Sequence, residues 1–154
     1  MGLFTGINDA KYSEGGIYFL DGNYVVQIED LKSGTSRQKV DYFEAECRIL
    51  KSTNPARPIG TLVTFWVGIK PDTPALADIR RFLAVAGDCD DNDVDDSAAE
   101  MSVSEEQPFR GVVLRAAATT ITTAKKKLPF TKVVWEKFEG TEGDVAALRK
   151  AAGL

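Results

Sequence analysis

The residues best placed to do chemistry in this chain are cations interleaved with aromatic rings. Lys125-Lys126-Lys127 is followed shortly by Phe130, Lys132 and Trp135. An earlier stretch repeats the mixture, with Lys32, Arg37 and Lys39, then Tyr42 and Arg48, then Trp66. Ammonium and guanidinium groups neutralise phosphates, and rings stack on bases, so this pattern suits a groove for single-stranded nucleic acid. Arg57 is a weaker member of the set. Each group also has a plainer reading. Three lysines suit a solvated turn, and Tyr42 and Trp66 could fill the core or a contact between two copies of the chain. Glu44 and Glu46 interrupt the pattern, because carboxylates repel phosphates unless cations beside or across the strand neutralise them.

Other chemistry is excluded or poorly matched. The chain has 154 residues and 0 histidines. It therefore has no Ser-His-Asp triad, no Cys-His pair, no histidine general base and no histidine-bound metal. No phosphate loop or dinucleotide fingerprint is present. Asp88, Asp90 and Asn92 match the first ligands of a calcium loop, but Asp93 stands where glycine is needed and Ala99 where the bidentate glutamate belongs. Asp30-x-Lys32 and Pro71-Asp72 are fragments of carboxylate-metal nuclease motifs at the wrong spacing. Cys47 reads as a small core residue, and Cys89 sits among carboxylates that blunt a thiol. These features predict a protein that is not an enzyme and uses no metal or cofactor.

Charge is segregated. The net formal charge is −4, from 19 Lys and Arg against 23 Asp and Glu. Nine of the acids fall in residues 88–106, which hold no Lys or Arg, so the remainder carries 14 acids against 19 bases. An acidic segment attached to a basic surface is a known hint of a polyanion partner. The segment reads as a disordered, solubilising loop, or as a mimic of nucleic-acid charge that competes for the groove or docks a basic partner. Two cysteines make no disulfide framework, no run of apolar residues is long enough to span a membrane, and Met1–Thr5 lacks the features of a signal peptide. A reducing, cytoplasmic setting without membrane attachment is expected.

The elements that must position these residues follow from periodicity. Residues 1–16 read as a mobile arm. Tyr24 to Leu31 alternates, with Tyr24, Val26 and Ile28 on one face, and residues 32–36 read as a loop. A second strand, 40–50, places Phe43, Ala45, Cys47 and Ile49 on one face and Tyr42, Glu44, Glu46 and Arg48 on the other. A third covers 61–68. Residues 72–86 switch to helical spacing through Leu76, Ile79, Leu83 and Ala86, with Thr73 and Pro74 at the start and Gly87 at the end. Strands at about 109–121 and 130–138 follow, and Thr141 and Asp144 open a C-terminal helix. Three strands, a helix and two strands is the order of the OB fold, a small, partly open five-stranded Greek-key barrel, and other five-stranded barrels or sandwiches fit the same order. The expected class is mainly β with minor α. A single barrel domain covers 17–140 and contains the acidic loop, with the helix at 141–154. An OB barrel binds oligonucleotides on strands two and three and in the loops joining one to two and four to five, so both basic loops would meet at one mouth.

Several stretches carry a family likeness. They are Gly2-Leu3-Phe4-x-Gly6-Ile7, Gly22-Asn23-Tyr24-Val25-Val26, Arg48-Ile49-Leu50-Lys51-Ser52 with Asn54-Pro55 and Pro58-x-Gly60, and Phe130-Thr131-Lys132-Val133-x-Trp135. In these the chain resembles small OB-fold single-stranded-DNA-binding proteins of tailed bacteriophages. The resemblance implies single-stranded-DNA binding with little sequence preference, accessory to phage replication or recombination, in the cytoplasm of an infected bacterium. Replication or recombination proteins would be partners. One departure is that bacterial single-strand binders often end in an acidic tail, whereas here the acidic run is internal. The alternative is a phage structural or interaction module that docks a protein through the barrel and the acidic segment.

Overall fold

A computed structural model describes residues 17–71, 73–121 and 130–154 of the chain, and for Phe130 the backbone alone. The N-terminal arm, Asp72 and Lys125-Lys126-Lys127 lie outside the described residues. Five strands, β1 (Gly22–Thr35), β2 (Asp41–Ser52), β3 (Leu62–Ile69), β4 (Val113–Ile121) and β5 (Phe130–Lys137), form one antiparallel sheet in the order β3-β2-β1-β4-β5. Among the described residues two α-helices lie at the expected positions, α1 (Ala75–Ala86) and α3 (Glu142–Ala151), and one more, α2 (Asp96–Ser102), is added.

β2 alternates as its sequence reads, with Phe43, Ala45, Cys47 and Ile49 all buried. β1 departs from simple alternation. Ile28 lies opposite Cys47 but Asp30 lies opposite Glu46, so Glu29 is an extra residue in the strand. This bulge returns Leu31 to the core face of Ile28. β1 also runs on to Thr35, because Lys32, Ser33 and Gly34 pair with Glu44, Phe43 and Tyr42. The loop expected at 32–36 is therefore mostly strand, with cross-strand pairing overriding local turn propensity. A second shift, between Val25 and Val26, leaves Leu50 fully buried beside the equally buried Ile49.

The class is mainly β, and in place of the expected partly open barrel the described strands form an open, strongly curled sheet that is not closed into a barrel. β3 and β5 end the strand order and share no ladder among the described residues. Yet Phe65 of β3 meets Trp135 of β5 with ring centroids 5.2 Å apart. Four strand spacings would hold those strands roughly 19 Å apart in a flat sheet, so the inner faces must curl toward each other. Ile17 to Leu20 lies along the outer edge of β3. Tyr18 bridges Thr64 in parallel, and the Thr64 amide donates to the Ile17 carbonyl at 2.7 Å. That contact covers part of an edge that would otherwise invite pairing.

Helix α1 covers the inner face with Ala75, Ile79, Phe82, Leu83 and Ala86. Leu76, expected on that face, is 65% exposed, and Ala75 supplies the burial of the first turn instead. Pro74 is the N-cap without a side-chain cap bond, and the Thr73 hydroxyl accepts from the Ala75 amide at 3.4 Å. The core joins α1 to Phe19, Ile28, Leu31, Phe43, Ile49 and Trp135.

The acidic segment is folded rather than disordered. A 3-10 turn covers Asp91–Asp93 and α2 follows, while Val94 and Ser102 are buried. The acids explain the order. Asp90 and Asp93 form a reciprocal cap, and Asp95 accepts from the Ala98 amide at 2.8 Å. Carboxylates at helix starts satisfy unpaired amides and face the positive end of the helix dipole. Thr141 and Asp144 cap α3 as their spacing predicts. Arg149 then ties α3 to the outer face of β1, donating to Gln27 Oε1 at 2.5 Å and to the Gly111 carbonyl at 2.9 Å. Among the described residues no helix is long and apolar enough to cross a membrane.

Candidate nucleic-acid interface

Register sets the composition of the outer sheet face. Across β1, β2 and β3 the outward residues form the rows Gly34-Tyr42-Gly68, Lys32-Glu44-Trp66 and Asp30-Glu46-Thr64. Arg48 follows opposite Gln27 and Leu62. The outward placement of Tyr42, Arg48 and Trp66 read from alternation is therefore observed.

Two glycines give the upper row its shape. A Cβ on Gly34 would lie 3.0 Å from the Tyr42 hydroxyl oxygen, and one on Gly68 would lie 3.0 Å from two Trp66 ring carbons. Both rings can therefore lie down on the sheet over bare backbone. Their centroids are 5.8 Å apart with planes 26° from parallel. Trp66 remains 41% exposed. This is a flat, accessible aromatic surface of the kind on which a base stacks.

Cations gather where this row meets the β1–β2 hairpin. Arg37 and Lys39 are exposed on that turn, and Lys39 adopts a φ of 63°. Asp41 pairs with Ile69, which places Lys70, exposed just past β3, at the same end. Sequence reading missed Lys70. Its only signal was its place between the last residue of a strand and Pro71, and only the β2–β3 register shows what it adjoins. Asp41 lies here too, with its carboxylate accepting from the Thr35 hydroxyl at 2.8 Å.

Lower on the face the charges are already matched. Lys32 pairs with Glu46 at 3.0 Å and Asp30 at 3.6 Å, and Arg48 with Glu29 at 3.4 Å and the Gly60 carbonyl at 3.0 Å. Lys32 and Arg48 therefore serve the sheet before any ligand. Arg57 donates to the carbonyls of Tyr18 and Ala56 and braces the β3 edge. Glu44 is 7% exposed, and its Oε2 has no hydrogen-bond partner among the described residues. Burial is the main cause that pushes its carboxyl above the ordinary value, with Lys32 opposing and Glu46 and Asp30 adding. Burial and Glu44 together raise the Tyr18 phenol.

Trp135 is a correction. It is 2% exposed and packs edge-on against Phe19, Phe65 and Phe82, so its ring belongs to the core and cannot stack on a base. Alternation alone could not tell which face of β5 turns inward. Lys132 is exposed on β5 opposite Thr119. The described ends of the two hairpins lie at opposite ends of β1: Thr35 and Asp41 end the β1–β2 ladder, whereas Ile121 and Phe130 end the β4–β5 ladder toward Gly22, and the connection at 122–129 with its lysines lies outside the described residues.

Cys47 is fully buried, and its thiol is pushed far up by burial and by Glu29 and Glu46. Cys89 is exposed, and local desolvation with four aspartates raises its thiol. Among the described residues no cluster of acids or cysteines could hold a metal ion. Neither family models nor curated protein sequences match the chain.

Proposed function

We propose that this chain binds single-stranded DNA with little sequence preference, as an accessory to phage replication or recombination. The observation that supports it best is the Tyr42–Trp66 surface, laid over two glycines beside the cationic end formed by Arg37, Lys39 and Lys70. Bases stack on the rings without regard to identity, since every base has a π face, while the cations hold phosphates. The chain performs no reaction in this reading.

Strand order supports the same family. β3-β2-β1-β4-β5 with a helix between β3 and β4 is the order of an OB barrel opened between its third and fifth strands. The small phage OB-fold binders that the sequence resembles use such a sheet.

A second reading draws on the carboxylates. Asp30, Glu44 and Glu46 hold Lys32 in an acidic patch just below Trp66. A protein partner tolerates such a patch better than a phosphate chain does, which favours a docking module. Recovery of a stable protein complex with no oligonucleotide shift would select it.

Fluorescence titration with oligo-dT decides between the two. Of the two tryptophans, only Trp66 is exposed, so quenching reports this surface alone. The expected result is quenching that weakens with salt, at a log–log slope of about −0.7 for each phosphate neutralised. Unchanged fluorescence at low salt overturns the DNA reading.

A further inference from the structure

A second depression opens on the outer face of β1, β4 and β5. Helix α3, tied to Gln27 through Arg149, lies between it and the Tyr42–Trp66 surface. The depression encloses about 350 Å³, and its lining includes Asn23, Val25, Lys51, Arg115, Ala117 and Val134. Side-chain size explains its form. Asn23, Ala117 and Val134 make a low row across three strands. The row Lys51-Val25-Arg115-Glu136 borders it on one side, and Thr119-Lys132 is the next row beyond it on the other, outside its lining.

The charge of the walls is uneven. Arg115 neutralises Glu136 at 2.7 Å and also donates to the Lys137 carbonyl. Lys51 and Lys132 are exposed and make no ion pair with any described residue. Lys51 and Arg115 sit two strands apart, roughly 10 Å. Apolar Ala117 and Val134 beside Asn23, with ammonium groups toward either end, suit a ring carried on an anionic backbone.

We infer that this groove is a second subsite for the same strand, seating a run of about three nucleotides with a base over Ala117 and Val134 and the phosphates at the two ends of the run on Lys51 and Lys132, which lie roughly 20 Å apart across three strand spacings and four residues. The inference rests on the single-strand reading above. It extends the path of the strand from the Tyr42–Trp66 surface past α3 to β4 and β5, and it gives Lys132 a role that the hairpin ends could not.

The test compares two lengths of oligo-dT, roughly six and roughly twenty nucleotides, which straddle the ~4–16 nucleotides of one OB fold. The short one is followed through Trp66 fluorescence and the long one through anisotropy of an attached dye. The native protein, Lys51→Glu/Lys132→Glu and the charge control Arg80→Glu, exposed on α1 across the sheet, are compared after their melting curves are shown to agree. The double variant is expected to bind the short oligonucleotide like the native protein. It should bind the long one at least tenfold more weakly, with a salt slope smaller by about 1.4, two phosphates' worth. Equal affinity for both lengths overturns the groove while leaving the first surface intact. Equal loss on both lengths, or the same loss in Arg80→Glu, overturns it as a general charge effect. Failure of the native protein to bind either length removes both readings.

Discussion

Trp66 and Glu44 are neighbours across one strand pair, and each poses a separate measurement. Trp66→Ala removes the stacking ring and is expected to weaken oligo-dT binding by about 1–3 kcal/mol. Its melting temperature should hardly move, since exposed positions usually change stability by less than ~0.5 kcal/mol. Glu44 acts on stability. Its folded carboxyl is held above the ordinary value mainly by burial, so the folded state keeps a proton that the unfolded state releases. That contribution is fully present below the unfolded value and is lost as pH rises through the folded one. Glu44→Gln stays neutral throughout. Its melting temperature should exceed that of the native protein at about pH 8, by about 2–4 °C per kcal/mol recovered. The two should converge near pH 4, close to the ordinary carboxyl value. Parallel curves across that range would mean that the buried carboxylate is solvated as well when folded as when unfolded.

The elements carry their own tests. Gly68 lets the indole of Trp66 lie flat, and Gly68→Val would set a side chain about where two ring carbons now sit. Oligonucleotide affinity should fall nearly as far as in Trp66→Ala, while circular dichroism keeps its β signature. Lys39 occupies a left-handed turn position at a strain of roughly 1–2 kcal/mol for an L residue. Lys39→Gly should therefore raise the unfolding free energy by up to ~1 kcal/mol and reduce the salt slope of binding by about 0.7. A variant that is more stable but a poorer binder separates the two roles of that lysine. How much of each element could be read in advance depended on whether its rule is local. β2 was legible because it alternates without interruption, and Thr141 with Asp144 was legible because a capping box needs only four residues. β1 was not, since the bulge at Glu29 and the run to Thr35 exist only by pairing with β2. The acidic segment misled because the same aspartates solvate a disordered loop and cap short helices, and burial of Val94 decides which.

At the scale of the whole molecule, charge governs approach. The chain is −4 overall while nine acids stand together in 88–106, so a polyanion meets both repulsion and attraction. Glu100, Glu105 and Glu106 are exposed and have no bonded partner among the described residues. Changing all three to Gln should strengthen oligo-dT binding near 0.01 M salt, where the screening length is about 30 Å, and leave it unchanged near 1 M, where it is about 3 Å. A gain that persists at high salt would point to contact rather than to the long-range field. The sequence by itself determined the absence of histidine chemistry, the order of the five strands with α1 and α3, the buried face of β2 and the segregation of charge, because composition and short-range periodicity suffice for each. Tertiary structure alone decided that Trp135 is core while Trp66 is surface, that Lys32 and Arg48 are already paired, that Lys70 joins the hairpin cations, and that the sheet curls without closing. Each of those depends on which residue lies across from which on a neighbouring strand. Register is a property of two distant segments at once, and no window along one of them contains it.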